Sequence, residues 1–221
     1  MKASERVYSD LRKRLMTGHY PPRAQLKEQE LSVEYDVSRT PVRAALGQLV
    51  SEGMLVAEPN RGVFVAEWTL PDVSEVFGLR RLLEAHASGL AAQRHTPAQF
   101  AELEEINGRM AFAVEAADRA GEAVVKIQSA NNEFHRAILV ASGSPRLGAI
   151  CGALVDTPMI IGSFYLYNME ELCRSVEQHS QIIRAISTHD YEYAFQSMSI
   201  HLRATYEIYM SKRLKSGENG T

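Results

Sequence analysis

The sequence predicts a mainly α chain in two parts: three short helices closed by a β-hairpin over residues 1–68, then an all-helical bundle over 71–214. Three observations lead there. Apolar residues recur at three- and four-residue spacing along most of the chain. Strand-type apolar segments are confined to residues 55–66, where they straddle a Pro-Asn-Arg-Gly turn. Beyond Trp68 that hairpin signature disappears and helical periodicity runs almost to the end. The last stretch, 215–221, is polar and is expected to be disordered.

The front part can be justified element by element. Val7, Leu11 and Leu15 repeat every four residues with Arg12, Lys13 and Arg14 between them, and Gly18 with Pro21-Pro22 stops that helix. Leu26 leads into a short helix over Glu28–Tyr35 anchored by Leu31. Asp36 stands at the sharp turn that follows, a position where a left-handed backbone suits Asp better than most residues. Val42, Leu46, Leu49 and Val50 then form one apolar helix face, and Pro41 falls in its first turn, where a missing N–H is harmless. Leu55–Glu58, the turn Pro59-Asn60-Arg61-Gly62 and Val63–Ala66 read as a two-stranded ribbon. Three helices and a ribbon make the winged helix-turn-helix pattern.

Composition sets limits on function. The net charge is −3, so bulk basicity does not point to nucleic acid. Divided at residue 68, the front carries ten basic and nine acidic residues, while the rest carries fourteen and eighteen. The sign agrees with a DNA-facing front. Cys151 and Cys173 are too few for a disulfide framework and fit a reducing compartment. The polar start lacks a signal peptide's apolar core, and no apolar run reaches the roughly 18 residues of a membrane span. A cytoplasmic protein is expected.

Local pattern is more informative. Val37–Val42 contains no acidic residue and places Ser38, Arg39 and Thr40 at a helix start, whose free N–H groups favour phosphate. Arg39 and Arg43, four apart, could offer forked donors to guanine or clamp phosphates. Gln29 on the preceding helix and Asn60, Arg61 and Gly62 at the hairpin tip complete the candidate DNA-contacting set. The block LKEQELSVEYDVSRTPVRAALGQLVSEGMLVAEPNRGVFV resembles the DNA-binding domain of the GntR family, with that family's Ser-Arg-Thr-Pro-Val-Arg core intact at Ser38–Arg43. The resemblance implies that Arg39, Thr40 and Arg43 meet DNA and that Gly62 approaches it through the wing. Arg23 and Asp36 depart from the family, standing where glycine is common.

In the rear part, helices are expected at about 71–93, 97–120, 122–142, 144–167, 169–188 and 190–214, punctuated by Pro97, Gly121, Pro145 and the Thr188-His189-Asp190 turn. Asn131 and His135 share a helix face. His179 precedes the inward stripe of Ile182, Ile183 and Ile186, and His201 keeps company with Met198, Thr205 and Ile208. Each histidine alone fits a hydrogen-bonded core residue. Three of them on three helices fit a site for a divalent transition metal. His86, His95 and His189 lack such company and are read as surface or capping residues.

Residues 71–214 resemble the helical FCD-type ligand-binding domain of the FadR-like branch of the same family. Its metal-binding members carry Asp, His four residues later, and one histidine on each of the last two helices. His135, His179 and His201 fit those places, and Asn131 takes that of the aspartate. The resemblance implies a divalent ion, zinc foremost with nickel or manganese as alternatives. A neutral amide leaves such an ion without a protein charge, which a carboxylate-bearing effector could supply. Arg80, in GLRRLLE, could pair with that carboxylate; the alternative is an i,i+4 pair with Glu84 on the bundle surface. The expected function is that of a DNA-binding regulator, foremost a repressor. It would act as a homodimer on a pseudo-palindromic double-stranded operator, under control of a small organic acid. Two alternatives stay open: the same regulator with a metal-free effector pocket, and a helical metalloenzyme. The enzyme reading lacks a general base, because Glu133 points away from Asn131's helix face.

Overall fold

A computed structural model describes residues 2–16, 19–116, 121–155 and 167–218. They form nine helices and one three-stranded sheet, divided between Thr69 and Leu70 into two compact units.

The first unit opens with α1 (Ala3–Met16), whose Val7 and Leu11 are completely buried. Helices α2 (Glu28–Glu34) and α3 (Arg39–Ser51) follow, and α3 buries Val42, Ala45, Leu46 and Leu49 against that core. Full burial of one such side chain contributes about 1.5–3 kcal/mol. The ribbon consists of β2 (Leu55–Glu58) and β3 (Gly62–Val65), with Leu55 opposite Val65 and Glu58 opposite Gly62. It is not two-stranded as expected. A third strand, β1 (Gln25–Leu26), pairs antiparallel with the outer side of β3, giving the order β1-β3-β2. Two residues are too few to show alternation, so β1 left no periodic signal in the sequence. It does bury Leu26, the apolar residue that leads into α2.

Two backbone positions explain the departures from glycine. Arg23 has φ 64° and Asp36 has φ 49°, both left-handed. For a residue with a Cβ this costs roughly 1–2 kcal/mol. Asp36 turns the chain between α2 and α3, and Arg23 turns it into β1.

The second unit is the helical bundle: α4 (Leu70–Arg94), α5 (Pro97–Glu115), α6 (Gly121–Ala141), α7 (Pro145–Val155), α8 (Met169–Ser187) and α9 (Tyr191–Glu218). Capping boxes start α5, with Thr96 and Gln99, and α8, with Asn168 and Glu171. Helix α7 is described as far as Val155, and the continuation expected to 167 falls on 156–166, outside the described residues; α5 ends at Glu115 rather than 120, with 117–120 likewise outside them. The last helix runs on to Glu218, beyond the end set at 214 and into the tail expected to be disordered.

Close packing of α4 on α9 depends on Gly89: a Cβ there would lie 2.5 Å from the Tyr191 ring. The Tyr191 hydroxyl is in turn 2.7 Å from His86 Nδ1. His95 and His189 do have company, namely each other. Their rings stack at 5.0 Å, with Nδ1 donating to the Ala91 and Ala92 carbonyls of α4's final turns. They cap, as expected, but as a pair.

Candidate functional site

Two sets of residues carry chemistry, one in each unit. In the first, α3 begins at an N-cap, Ser38, whose side chain makes no capping bond, so its hydroxyl stays available. Ser38, Arg39, Thr40 and Arg43 are all exposed. Arg39 Nη2 donates to Gln29 Oε1 at 3.2 Å, which joins two of the candidate residues across the helix-turn-helix. Arg43 is held by a residue the sequence reading left out: Nε and Nη2 donate to both carboxylate oxygens of Glu28, at 2.8 and 2.7 Å. These bonds keep the Glu28 carboxyl below its ordinary range, against a smaller opposing effect of desolvation. Glu28 is ten residues before Ser38, on α2, so a search for acids within Val37–Val42 could not find it. It occupies the side edge of the guanidinium and leaves the Nη1/Nη2 end free, the end that meets a guanine.

The wing tip is equally organised. Asn60 (φ 60°) and Gly62 (φ 105°) make the left-handed turn. The Arg61 guanidinium pairs with Glu58 and lies over the Phe64 ring. Gln25 Nε2 donates to the Arg61 carbonyl at 2.7 Å, tying the tip to β1, and a Cβ on Gly62 would come within 3.1 Å of the same nitrogen.

In the second unit, α6, α8 and α9 bring His135, His179 and His201 together, each at most 2% exposed. One ring nitrogen from each lies within 4.8 Å of the others. Phe134 stacks on His179 at 4.0 Å and fixes its plane. His201 Nδ1 donates to Gln178 Oε1 at 3.0 Å, which leaves Nε2 as the lone-pair atom. Both nitrogens of His179 are buried without a hydrogen-bond partner. Such a group is costly unless something occupies it. Burial lowers the His179 pKa well below the ordinary value, helped by His201 and His135; burial, helped by His135 and Arg80 and opposed by Glu84, lowers His201 to about 3. Both rings are therefore neutral at neutral pH, the state that ligates metal. Asn131, one turn before His135, is buried, and its amide nitrogen donates to Asn132 Oδ1 at 3.4 Å. The donor set fits a divalent transition ion.

Behind the histidines is a buried charge pair. Arg80 Nε donates to Glu84 Oε1 at 2.5 Å, and both residues are 1% exposed. The surface alternative for this pair does not hold. Glu84 Oε2 lies 2.5 Å from His135 Nδ1, out of line for a hydrogen bond but close enough to act by charge. Burial pushes the Glu84 carboxyl up, and the Arg80 guanidinium, together with the adjacent His135 ring, outweighs that to hold it at about 2. A protein carboxylate therefore does stand beside the histidines, although Arg80 balances it. The signal was present in the sequence: Phe77, Arg80, Glu84, Ser88 and Ala91 fall on one helical stripe and are all buried. Cys151 completes this wall, its thiol pushed up to about 12 by burial and by Glu84, and hence inert. No sequence signal pointed to Gln178.

Among the described residues, no helix is long and apolar enough to cross a membrane. Comparison with known proteins agrees with both units. The family model "Bacterial regulatory proteins, gntR family" matches residues 3–65, and "FCD domain" matches 75–204. The HTH-type transcriptional regulator McbR of Escherichia coli (strain K12) is 32% identical over 189 residues, 84% of this chain and 83% of that protein. The "Probable D-xylose utilization operon transcriptional repressor" of Paenarthrobacter nicotinovorans is 27% identical over 187 residues, 85% of this chain and 80% of that protein. The structure of E. coli McbR/YncC superposes with a TM-score of 0.71 at 26% identity, covering 96% of this chain and 99% of that one. These relatives are transcription regulators and not enzymes, which removes the metalloenzyme alternative. With both of its units so matched, the chain belongs to the GntR family of bacterial transcription regulators, among those that carry an FCD domain.

Proposed function

We propose that this regulator is a cytoplasmic homodimeric repressor that leaves a pseudo-palindromic operator when a small carboxylate-bearing metabolite occupies its helical unit. The observation that carries the sensor half is His179: a fully buried imidazole with two unpartnered nitrogens, facing two further histidines. His135, His179 and His201 would hold a divalent transition ion, zinc foremost, with the Asn131 amide oxygen in the fourth place. Bound there, the ion supplies a positive, electron-accepting centre for a carboxylate. Arg80 already commits Nε to Glu84, and its remaining N–H groups serve the effector.

On the DNA side, Ser38 and Thr40 take phosphates at the α3 N-terminus, Arg39 and Arg43 reach base edges, and Gln29 orients Arg39. Asn60, Arg61 and Gly62 follow the adjacent groove. Repression agrees with the P. nicotinovorans relative, which is named as a transcriptional repressor. Release requires only that the effector bind one arrangement of the dimer better than the other.

Metal analysis of gently purified protein, followed by a thermal-shift screen of organic acids with and without zinc, tests the sensor. Stoichiometric metal and an acid whose effect depends on it are expected. A metal-free protein that still responds to an acid would replace this reading with a metal-free pocket. Gel-shift titration tests the reading surface: Arg39→Ala and Arg43→Ala should each cost about 1–3 kcal/mol of operator binding. Unchanged affinity in both would remove them from it.

A further inference from the structure

We propose that a polar layer one helical turn from the histidines, with Ser175 and Gln128 as its reading residues, selects an effector that carries hydroxyl groups as well as its carboxylate. This deepens the carboxylate reading above, on which it rests, and names the class as hydroxylated acids.

The layer follows from the directions of four helices. Glu84 of α4 meets His135 of α6, and ten residues on Arg94 donates to the Ser142 carbonyl at 3.1 Å, so these two helices run the same way. Phe77 of α4 packs on Tyr206 of α9 with ring centroids 5.5 Å apart, and Lys212 of α9 pairs with Glu171 of α8 at 3.1 Å. A step from the histidines toward Phe77 therefore leads from Glu84 to Arg80, from His135 to Asn131, from His179 to Ser175 and from His201 to Thr205. Each step is four residues, about 6 Å, and keeps the same helix face. Arg80, Asn131 and Ser175 are at most 5% exposed. One turn further along that face of α6, about 10 Å from the histidines, Gln128 is 4% exposed. The opposite step meets Ile138, Ile182 and Met198, with Ser88 as the polar exception. The polarity lies on the Arg80 side.

This layer holds more hydrogen-bonding capacity than the protein uses. Among the described residues, neither the Ser175 hydroxyl nor the Gln128 carboxamide has a hydrogen-bond partner, although both residues are buried. Ser180, on the same helix as Ser175, shows the ordinary alternative: its hydroxyl donates to the carbonyl of Val176, four residues back, at 3.2 Å. Thr205 donates to the His201 carbonyl at 3.0 Å and keeps its lone pairs, while Arg80 keeps the N–H groups not given to Glu84. Buried groups left open in this way are costly until something completes them. An alkyl or aryl acid would fill the space and leave them open. A second carboxylate would suit Arg80, but Glu84 already balances that charge, and the oxygens of Thr205 and Gln128 would face the anion. A hydroxyl both donates and accepts, which matches a mixed set. The two depths also suit hydroxyls both near to the carboxylate and further along the chain.

Calorimetry on the zinc-loaded full chain tests this with acids paired by hydroxylation alone: lactate with propionate, tartrate with succinate, and D-gluconate with hexanoate. The hydroxylated member of a pair that binds should bind at least about 10-fold tighter, because its analogue leaves buried groups unpaired. Ser175→Ala and Gln128→Leu should each shrink that preference at least about 5-fold, with affinity for the unhydroxylated acid equal or higher and helical circular dichroism unchanged. Equal affinities within every pair overturn the proposal. A preference that both variants leave intact overturns the assignment to these residues. Zinc-loaded protein that binds no acid of any pair removes the carboxylate reading and this inference with it. A preference that persists in chelated, metal-free protein supports the layer and removes the metal from the effector site.

Discussion

Two arginine–glutamate pairs, one in each unit, have nearly the same chemistry and opposite uses. Arg43–Glu28 sits at the reading surface, with side chains 71% and 31% exposed, at 2.7 Å. Arg80–Glu84 sits behind the histidines at 2% and 1%, at 2.5 Å. Water competes for the first pair at every moment, so breaking it to admit a phosphate or a base costs little. The second pair has no such substitute, because removing either partner strands a charge in a low dielectric. An exposed pair orients a side chain and gives it up on demand. A buried pair fixes the shape and charge of a wall.

The largest expected effect tests that contrast directly. Glu84→Ala should lower unfolding stability by about 3–5 kcal/mol, because Arg80 is left buried without a counter-charge. Glu28→Ala should change it by less than about 1 kcal/mol. Urea unfolding of both variants is the measurement, and equal losses would abolish the distinction drawn between the pairs.

Acid should expose the same difference between the units. In metal-free protein, burial holds His201 at about 3, far below the ordinary 6.5, and depresses His179 as well. As pH falls below 6.5, the unfolded chain binds protons that the folded histidines refuse. Stability therefore declines as pH falls toward 3, by up to about 1.4 kcal/mol per pH unit for each such histidine. Glu84, held at about 2, contributes stability above the ordinary carboxylate range, and this is lost as pH falls through 2. The histidine loss therefore begins first. A urea midpoint that stays flat between pH 7 and 5 in the presence of a chelator would contradict it.

Legibility in the sequence followed the physics of each feature. Helices of the bundle announced themselves because a buried stripe must repeat every three or four residues, and His135, His179 and His201 stood on such stripes. The motif at Ser38–Arg43 was legible because its residues are contiguous. Glu28 and Gln178 were not, since each matters through a partner brought near only by folding: Arg43 fifteen residues away, His201 twenty-three. Strand β1 was too short to have a period. Glu84 is the instructive intermediate. It was legible as a partner of Arg80 and as a member of one helical stripe, yet its contact with His135 needed α4 and α6 side by side.

Gln178 offers a smaller effect and a sharper one. Its carbonyl oxygen fixes His201 in the Nδ1–H tautomer, so that Nε2 presents the lone pair. Gln178→Leu should weaken zinc affinity about 10–100-fold, the usual consequence of removing a group that orients a ligand. Calorimetry gives the affinity, and long-range proton–nitrogen correlation spectra of the metal-free protein give the tautomer. Lost affinity with an unchanged tautomer would mean that Gln178 acts through packing alone.

The smallest expected change concerns backbone rather than charge. Arg23 occupies a left-handed position at φ 64°, where its Cβ is disfavoured, and its side chain gains only an exposed contact with Glu67 at 3.3 Å. Glycine would remove a strain of roughly 1–2 kcal/mol but would add unfolded-state entropy that returns part of it, roughly 0.5–1 kcal/mol. Arg23→Gly should therefore stabilise the first unit by about 0.5–1 kcal/mol. The comparison case is Asp36 at φ 49°, whose short side chain tolerates this region better than that of Arg23. Asp36→Gly should gain less. If thermal unfolding ranks the two variants the other way, the cost at Arg23 lies in its side chain and not in its backbone.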